Sequence, residues 1–361
     1  MKKIIASLPV LYACIATAAA QSGVTLYGIV DAGVTHVDSA GPVGGRSTIE
    51  AGQMQVSRFG IKGVEDLGNG LKARFGLEGT LFNDTGVAGV ATGTPSANSL
   101  FDREATVGLA GPFGSIDMGR QNILGVQSVG LADPMGLAFA ATSPNVLFAA
   151  MNHAGVYGPY GANNGGTALR QNNSVRYVSP LFRGAGFALM HGFGEQAGDA
   201  EKSTYQGASA FFNRGSFGIA GAYARMKNAA NTDVLTSHAY GIKYTAGTVA
   251  LKSTWAQNTL ASTGRKIRVF GVGVDVPVSP ALSLNGAFYD TRRSGDLRDR
   301  SRQYVFIARH ALSKRSTAYL SLARATTDTV VTATQINLAQ GFVAIGSDAA
   351  NRVTVGLMHL Y

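Results

Sequence analysis

An alternation of apolar and polar side chains with a period of two residues constrains this chain most, because it recurs in segments of about ten residues from Val24 onward. In one segment, Leu71 and Phe75 lie on one face of a strand, while Lys72 and Arg74 lie on the other. Successive side chains of a strand point to opposite faces, so one face suits lipid and the other suits water. The sequence therefore predicts an all-β fold.

Connections of two lengths separate the predicted strands. Short turn signals occur at residues 66–70, 111–115, 213–216, 245–247, 277–280 and 312–316, and longer polar stretches at 83–99, 121–169, 292–301 and 327–350. This arrangement indicates an antiparallel up-and-down meander with short periplasmic turns and long external loops. A soluble β-sandwich would seldom continue the pattern so far, and a closed barrel leaves no strand edge unpaired in lipid. We predict a transmembrane β-barrel of about sixteen strands, which is wide enough for an aqueous lumen.

The N-terminal residues have the features of a secretory signal peptide. Two lysines precede a mostly apolar stretch, and three alanines precede Gln21, where signal peptidase cleavage is expected. We assign residues 1–20 to the signal peptide and residues 21–361 to a single barrel domain. A membrane anchor is the alternative, but the apolar stretch is short for a spanning helix and contains Pro9.

Cysteine usage limits the chemistry of the secreted chain. Cys14 is the only cysteine, so cleavage leaves neither disulfides nor thiolate metal ligands. Acylation of Cys14 is disfavoured because Tyr12, two positions before it, is too bulky for a lipobox. We expect no cofactor and no metal.

The net charge points to anionic partners. The full chain carries +10, and removal of Lys2 and Lys3 leaves about +8. Such an excess suits nucleic acid, anionic lipid or anionic solutes. A secreted chain rarely meets nucleic acid, so lipid headgroups and solutes remain.

The stretch at residues 121–169 is too long for a hairpin connection and too irregular for barrel wall. A short helix is expected between Leu124 and Ala132. The apolar residues of this stretch need burial, and the barrel interior is the available place. We interpret the stretch as an infolded constriction loop; a disordered surface loop is the alternative.

Five stretches together resemble the trimeric general diffusion porins of Gram-negative bacteria, most closely those of the β-proteobacteria. They are Val24–Gly33, Ser57–Ala73, Phe101–Leu109, Phe113–Gln121 and Tyr304–Ser316. The resemblance implies a sixteen-stranded barrel in the outer membrane, a homotrimer joined near the first strands, and a third extracellular loop folded into the lumen.

The same resemblance implies which arginines line the narrowest part of the pore. These are Arg58, Arg103 and Arg170, with Arg74 and Arg120 as nearby candidates. For Arg58 the alternation agrees, since Phe59 suits lipid. For each arginine, a solvated rim position or a contact with lipopolysaccharide phosphate is the alternative.

The alternation pattern argues against placing Arg103 in the lumen. Placing Arg103 inward also turns Ala105 and Val107 inward and leaves Glu104 and Thr106 outside. In the family, the subunit interface lies near this strand and could accept the last two residues.

The sequence departs from the family in two places. Many members carry several acidic residues on the infolded loop, whereas Asp133 is the only one between Gln121 and Arg170. Fewer acids leave the arginines less opposed, which predicts a preference for anions. The chain also ends at Tyr361 where phenylalanine is usual, and we expect this terminal aromatic to serve as the assembly signal.

These features favour a channel for passive diffusion of small anionic and neutral hydrophilic solutes, without catalysis. The outside of the barrel is expected to contact outer-membrane lipid and lipopolysaccharide. An outer-membrane enzyme would need a Ser-His or Asp-His pair near the rim, but the six histidines are scattered. An adhesin or structural barrel with a plugged lumen is the other alternative, which only conductance distinguishes. The arginine-rich stretch 292–302 suggests a polyanion site, but its aspartates and expected loop position favour a solvated extracellular turn.

Overall fold

The computed structural model describes residues 23–39, 44–91, 98–138, 144, 160, 169–332, 338–339 and 342–361. The predicted signal peptide and much of the predicted constriction loop lie outside these ranges. The elements are β1 (Gly23–Val37), β2 (Arg46–Ala51), β3 (Arg58–Gly68), β4 (Leu71–Phe82), β5 (Val87–Ala88), β6 (Val90–Ala91), β7 (Asn98–Ser99), β8 (Glu104–Gly111), β9 (Gly114–Asn122), α1 (Leu124–Gly130), β10 (Arg170–Val178), β11 (Ala185–Gly192), β12 (Tyr205–Arg214), β13 (Phe217–Lys227), β14 (Val234–Ala246), β15 (Val249–Leu260), β16 (Lys266–Pro277), β17 (Leu282–Ser294), β18 (Asp299–Ala311), β19 (Ser316–Thr327) and β20 (Ala349–Leu360).

Sixteen of these strands, β1, β3, β4 and β8–β20, form a closed antiparallel barrel. Each pairs with the next along the chain, and the ring closes where β20 pairs with β1 over Ile29–Val37. The short β2 adds to the outer half of β1. Closure satisfies the backbone hydrogen bonds at both edges, as a lipid environment requires. The predicted barrel and its sixteen strands are confirmed.

The outer surface of the wall is apolar, and the side chains that alternate with it are buried on the inner surface. On β16, Phe270 and Val272 are exposed to the outside, whereas Ile267 and Val269 are fully buried. Outward aromatic side chains also pack across strands, as Tyr240 does with a neighbouring tryptophan at 5.7 Å between ring centroids. The period-two alternation therefore separates outward-facing from inward-facing side chains, as predicted. No helix in the described ranges is long and apolar enough to cross a membrane.

The six predicted short turns join neighbouring strands at one end of the barrel. The interpretation of residues 292–301 as a long loop is wrong, because β17 extends to Ser294 and β18 begins at Asp299. Cross-strand pairing continues to the pair Arg293–Asp299. Ion pairs between the strands, including one that joins these two side chains at 2.6 Å, accompany this extension of the sheet.

The connection between β9 and β10 enters the barrel. Helix α1 packs against β13 and β14, and Leu124 and Val129 are fully buried. A side chain in place of Gly241 would put its Cβ 2.5 Å from the carbonyl oxygen of Ser128, so only glycine permits this approach of helix and wall. The predicted short helix and the infolding are confirmed for residues 123–138.

Candidate pore constriction

A carboxylate on the inner wall, Glu78 of β4, lies between two of the predicted arginines. Arg103 Nε donates to Glu78 Oε1 at 2.6 Å, and Arg58 Nε lies 3.7 Å from Glu78 Oε2. The Tyr27 hydroxyl donates to Oε2 at 3.1 Å. All four groups face the lumen, because Tyr27 pairs with Gly60, Arg58 with Thr80, and Gly60 with Glu78 across β1, β3 and β4. One negative charge is therefore shared by two guanidinium groups.

The structure removes the conflict over the facing of Arg103. Strand β8 begins at Glu104, so Arg103 precedes it and does not follow its alternation. Within β8, Glu104 and Thr106 face the lumen, and Val107 is exposed on the lipid side. The prediction that an inward Arg103 leaves Glu104 outside is wrong, because the chain bends before the strand begins.

Arg120 and Arg170 lie beside this pair and hold the segment that precedes β8. Arg120 Nε donates to the carbonyl oxygen of Asp102 at 2.6 Å, and Arg170 Nε donates to that of Arg103 at 2.9 Å. The Asp102 carboxylate in turn accepts from the backbone and hydroxyl of Thr80, at 2.7 and 2.8 Å. Arg170 is only 3% exposed. It therefore adds positive charge to the cluster and supports the segment before β8, but offers little surface for contact with solutes.

The backbone of β9 takes an unusual conformation directly before Arg120. Gly119 has φ +123°, and a Cβ at this position would lie 2.1 Å from the carbonyl oxygen of Ala105. Only glycine fits such a backbone at such a distance. The pairing of β9 with β10 is irregular at this level, between Gln171 and Ser174. The extra residue belongs to β10, because Asn172 and Asn173 together lie opposite Arg120, and Asn172 Oδ1 accepts a hydrogen bond from the Arg120 guanidinium.

Arg74 belongs to a second cluster nearer the short turns. Its Nε and terminal nitrogen donate to the two oxygens of Asp117 at 2.8 and 2.6 Å, and Arg176 approaches the same carboxylate at 3.4 Å. Again two arginines share one acid. The two clusters together hold six arginines and four carboxylates, namely Arg58, Arg74, Arg103, Arg120, Arg170 and Arg176 with Glu78, Asp102, Glu104 and Asp117.

Asp133 does not lie with these arginines. Its carboxylate accepts hydrogen bonds from the backbone of Met135 at 3.1 Å and of Leu137 at 2.7 Å, and from the Tyr289 hydroxyl at 3.1 Å. It is 1% exposed. In strand order, β17, which carries Tyr289, lies half a turn of the barrel from β9. The structure thus gives Asp133 a different place from the expected one: it fastens the infolded loop to the wall because the turn after α1 supplies its donors.

Tyr361 extends the seam at which the barrel closes. Its backbone N–H donates to the Gly28 carbonyl at 3.1 Å, and Gly28 N–H returns a bond to the Tyr361 carbonyl at 3.2 Å. Its side chain is 44% exposed. Tyr361 therefore continues the pairing of β20 with β1 at this point of the wall.

Glu78 and Asp117 are the residues that sequence reasoning missed. Alternation places Glu78 on the lumen face together with Lys72 and Arg74. Its pairing with Arg103, however, depends on the register of β4 with β8, which alternation does not specify.

Comparison with known proteins agrees with this geometry. A family model described as Gram-negative porin matches residues 6–330. Outer membrane porin protein 32 of Delftia acidovorans is 31% identical over 336 residues, which cover 90% of this chain and 89% of that protein.

Two solved structures share the fold. The anion-selective porin from Comamonas acidovorans superposes with a TM-score of 0.78 at 24% identity, covering 94% of this chain and 100% of that one. The trimer form of OmpT from Vibrio cholerae superposes with a TM-score of 0.63 at 15% identity, covering 94% and 99%. The closed barrel, the inner-wall arginines and the family match lead to one conclusion: the chain belongs to the Gram-negative porin family and resides in the outer membrane.

Proposed function

We propose that the chain forms a water-filled channel for passive diffusion of small hydrophilic solutes, with a preference for anions. The observation that carries the preference is the sharing of Glu78 by Arg58 and Arg103, with Arg120 and Arg170 beside them. In this proposal the arginines form the constriction together with the loop at residues 121–169. Arg74 and its partners continue the positive field towards the periplasm.

The wall charges decide which ions concentrate in the aperture. Screening length at physiological salt is about 8 Å, so wall charges act on ions throughout a narrow aperture. Six arginines facing four carboxylates raise the local concentration of anions and lower that of cations. A third group adds to the positive potential, since Lys252 and Arg309 share Asp275 elsewhere on the inner wall. The structural relative described as anion-selective supports the same direction.

A planar-bilayer recording in a potassium chloride gradient tests the proposal. We expect a zero-current potential with the sign of chloride permeation. Arg58→Glu should move it towards cation preference, because two units of charge change at one position of the wall. If the wild-type channel is cation-selective, the arginines do not lie at the constriction. If the barrel does not conduct ions, the proposal of a channel fails.

The assembly proposed is a homotrimer surrounded by outer-membrane lipid and lipopolysaccharide. Its support is the trimer form of a structural relative and the apolar outer face of the first strands, where Val24, Leu26 and Val34 are 60–71% exposed. We propose Tyr361 as the assembly signal, since it sits at the closing seam.

Catalysis is the rival that a specific contact favours, since His36 Nδ1 lies 2.9 Å from Ser47 Oγ near the outer rim. In the described ranges no carboxylate bonds to this histidine, so the pair lacks the group that would orient it as a base. We therefore propose a channel without enzymatic activity. Phospholipid hydrolysis by the purified protein, abolished by Ser47→Ala, would overturn this part.

A further inference from the structure

Three arginines lie side by side across neighbouring strands on the outer wall. Arg268 of β16 pairs with Arg292 of β17, which pairs with Arg300 of β18. Neighbouring members of such a row are about 5 Å apart at the Cα atoms, and like charges directly opposite each other destabilise a sheet. The row faces outward, because Ile267, Val269 and Arg293, which alternate with it, are buried. Sheet stability alone does not account for this arrangement.

One carboxylate organises part of the row without neutralising it. Asp290 accepts from Arg292 Nε at 2.6 Å and from Arg300 Nε at 2.5 Å. Each arginine uses Nε, so its terminal nitrogens point elsewhere and have no acceptor in the described ranges. Lys266 and Arg268 are exposed and make no ion pair with any described residue. The guanidinium groups are thus oriented and available.

These side chains line a depression of about 460 Å³ on the barrel, together with Arg298 in the turn between β17 and β18. Arg302 and Arg324 continue the positive surface on β18 and β19. Among the charged groups here, seven cations accompany two carboxylates, an excess of five positive charges: Lys266, Arg268, Arg292, Arg298, Arg300, Arg302 and Arg324 with Asp290 and Asp328. Arg293 and Asp299 also line the depression, but they form an ion pair with each other and leave this excess unchanged.

The depression lies at the level of the lipid headgroups. On β18, the outward residues after Arg302 are Tyr304 and Phe306, and Tyr304 packs against Phe288 of β17 at 5.0 Å between ring centroids. On β16, Phe270 follows Arg268. Aromatic rings mark the interface of a membrane barrel, and two residues along a strand span about 7 Å. The cations therefore stand just outside the aromatic level, at the end opposite the short periplasmic turns.

We propose that this surface, the outer cation site, binds the phosphate groups of a glycolipid headgroup in the outer leaflet. A phosphate accepts paired bonds from guanidinium groups, and two phosphates on one sugar backbone suit cations spread over three strands. The acyl chains would then lie along the aromatic and aliphatic wall below. The proposal rests on the lipopolysaccharide surroundings proposed above and names the residues that would hold its phosphates. The site is separate from the lumen and does not depend on the proposed selectivity of the channel.

Binding of bisphosphorylated lipid A to the purified, folded barrel in detergent tests the proposal. We expect Arg268→Ala to weaken binding about fivefold, and Lys266→Ala/Arg268→Ala to weaken it further, since each basic group near an anionic lipid contributes a roughly equal step. Arg225→Ala is the matched control, because Arg225 is an exposed outward arginine on β13, away from the site. Neither Lys266 nor Arg268 holds a buried acid, so their loss should leave the heat-modifiable folded band on gels.

Further arms separate the possible ligands. Dephosphorylated lipid A should bind at least tenfold more weakly than the bisphosphorylated form, and added salt should weaken only the latter. Equal binding by Arg268→Ala and wild type, or by both lipid forms, would overturn the site. If free pyrophosphate binds as tightly as lipid A and displaces it, the surface is a general anion site and the lipid assignment fails. Should Arg268→Ala not fold, Lys266→Ala provides the same comparison.

Discussion

Removal of the shared acid in the constriction should strengthen anion selectivity. Glu78→Gln takes away the one negative charge between Arg58 and Arg103, whose nitrogens lie 3.7 and 2.6 Å from its oxygens. Glutamine keeps an oxygen that can accept the hydrogen bond from Arg103, so the side chains should stay in place. The change is therefore close to a pure change of charge.

The expected size follows from Coulomb's law. In water, a unit charge about 8 Å from a passing ion contributes about 0.5 kcal/mol, and screening at 0.1 M salt leaves about half of that. Anions gain and cations lose this amount, so the anion-to-cation permeability ratio should rise about twofold. Arg103→Gln should lower the ratio by a similar factor, because the sign is reversed.

Zero-current potentials across a tenfold potassium chloride gradient measure both changes. Glu65→Gln is the matched control. It makes the same chemical change outside the lumen, because Glu65 pairs with the lipid-facing Ala73. Its potential should equal that of the wild type. If Glu78→Gln and Arg103→Gln both behave like the control, the cluster does not lie at the aperture and the electrostatic reasoning is refuted.

Three other predictions concern assembly and the infolded loop. Unheated electrophoresis in mild detergent should show a band near three subunits that collapses on heating; full channel activity from a monomer would contradict the trimer. Deletion of Tyr361 should impair barrel assembly far more than export and leave unfolded protein in the periplasm, detected by protease sensitivity of fractions; normal amounts of folded barrel would refute its role. Tyr289→Phe removes the hydroxyl that joins Asp133 and Met135, at a cost of about 1–3 kcal/mol to loop anchoring. Single-channel noise should rise relative to Tyr304→Phe, an outward control on β18, and equal noise in the two variants would show that this contact does not hold the loop.

Sequence alone determined the features that depend on local geometry. The facing of a strand residue follows from the period of two, so the lumen positions of Arg58 and Arg74 and the lipid positions of Phe59 and Phe75 could be predicted without a structure. Turn residues likewise marked the ends of the strands. The family resemblance added Arg103 and Arg170, which alternation by itself opposed or left open.

Tertiary structure alone decided which of these residues meet. Pairing of Glu78 with Arg103 depends on the register of two strands, and Arg120 meets Asp102 where the pairing of β9 with β10 is irregular. The burial of Asp133 against Tyr289 depends on where the infolded loop crosses the lumen.

The outer cation site shows the same division. The sequence showed the arginines of residues 292–302 as one run, and composition suggested a solvated loop. Strand pairing instead alternates them between the two faces, turns Arg293 inward, and brings Arg268 from another strand beside Arg292. The reason is physical: side-chain facing is fixed by the backbone of one strand, whereas neighbours across strands are fixed by hydrogen bonding between segments far apart in sequence and by closure of the whole barrel.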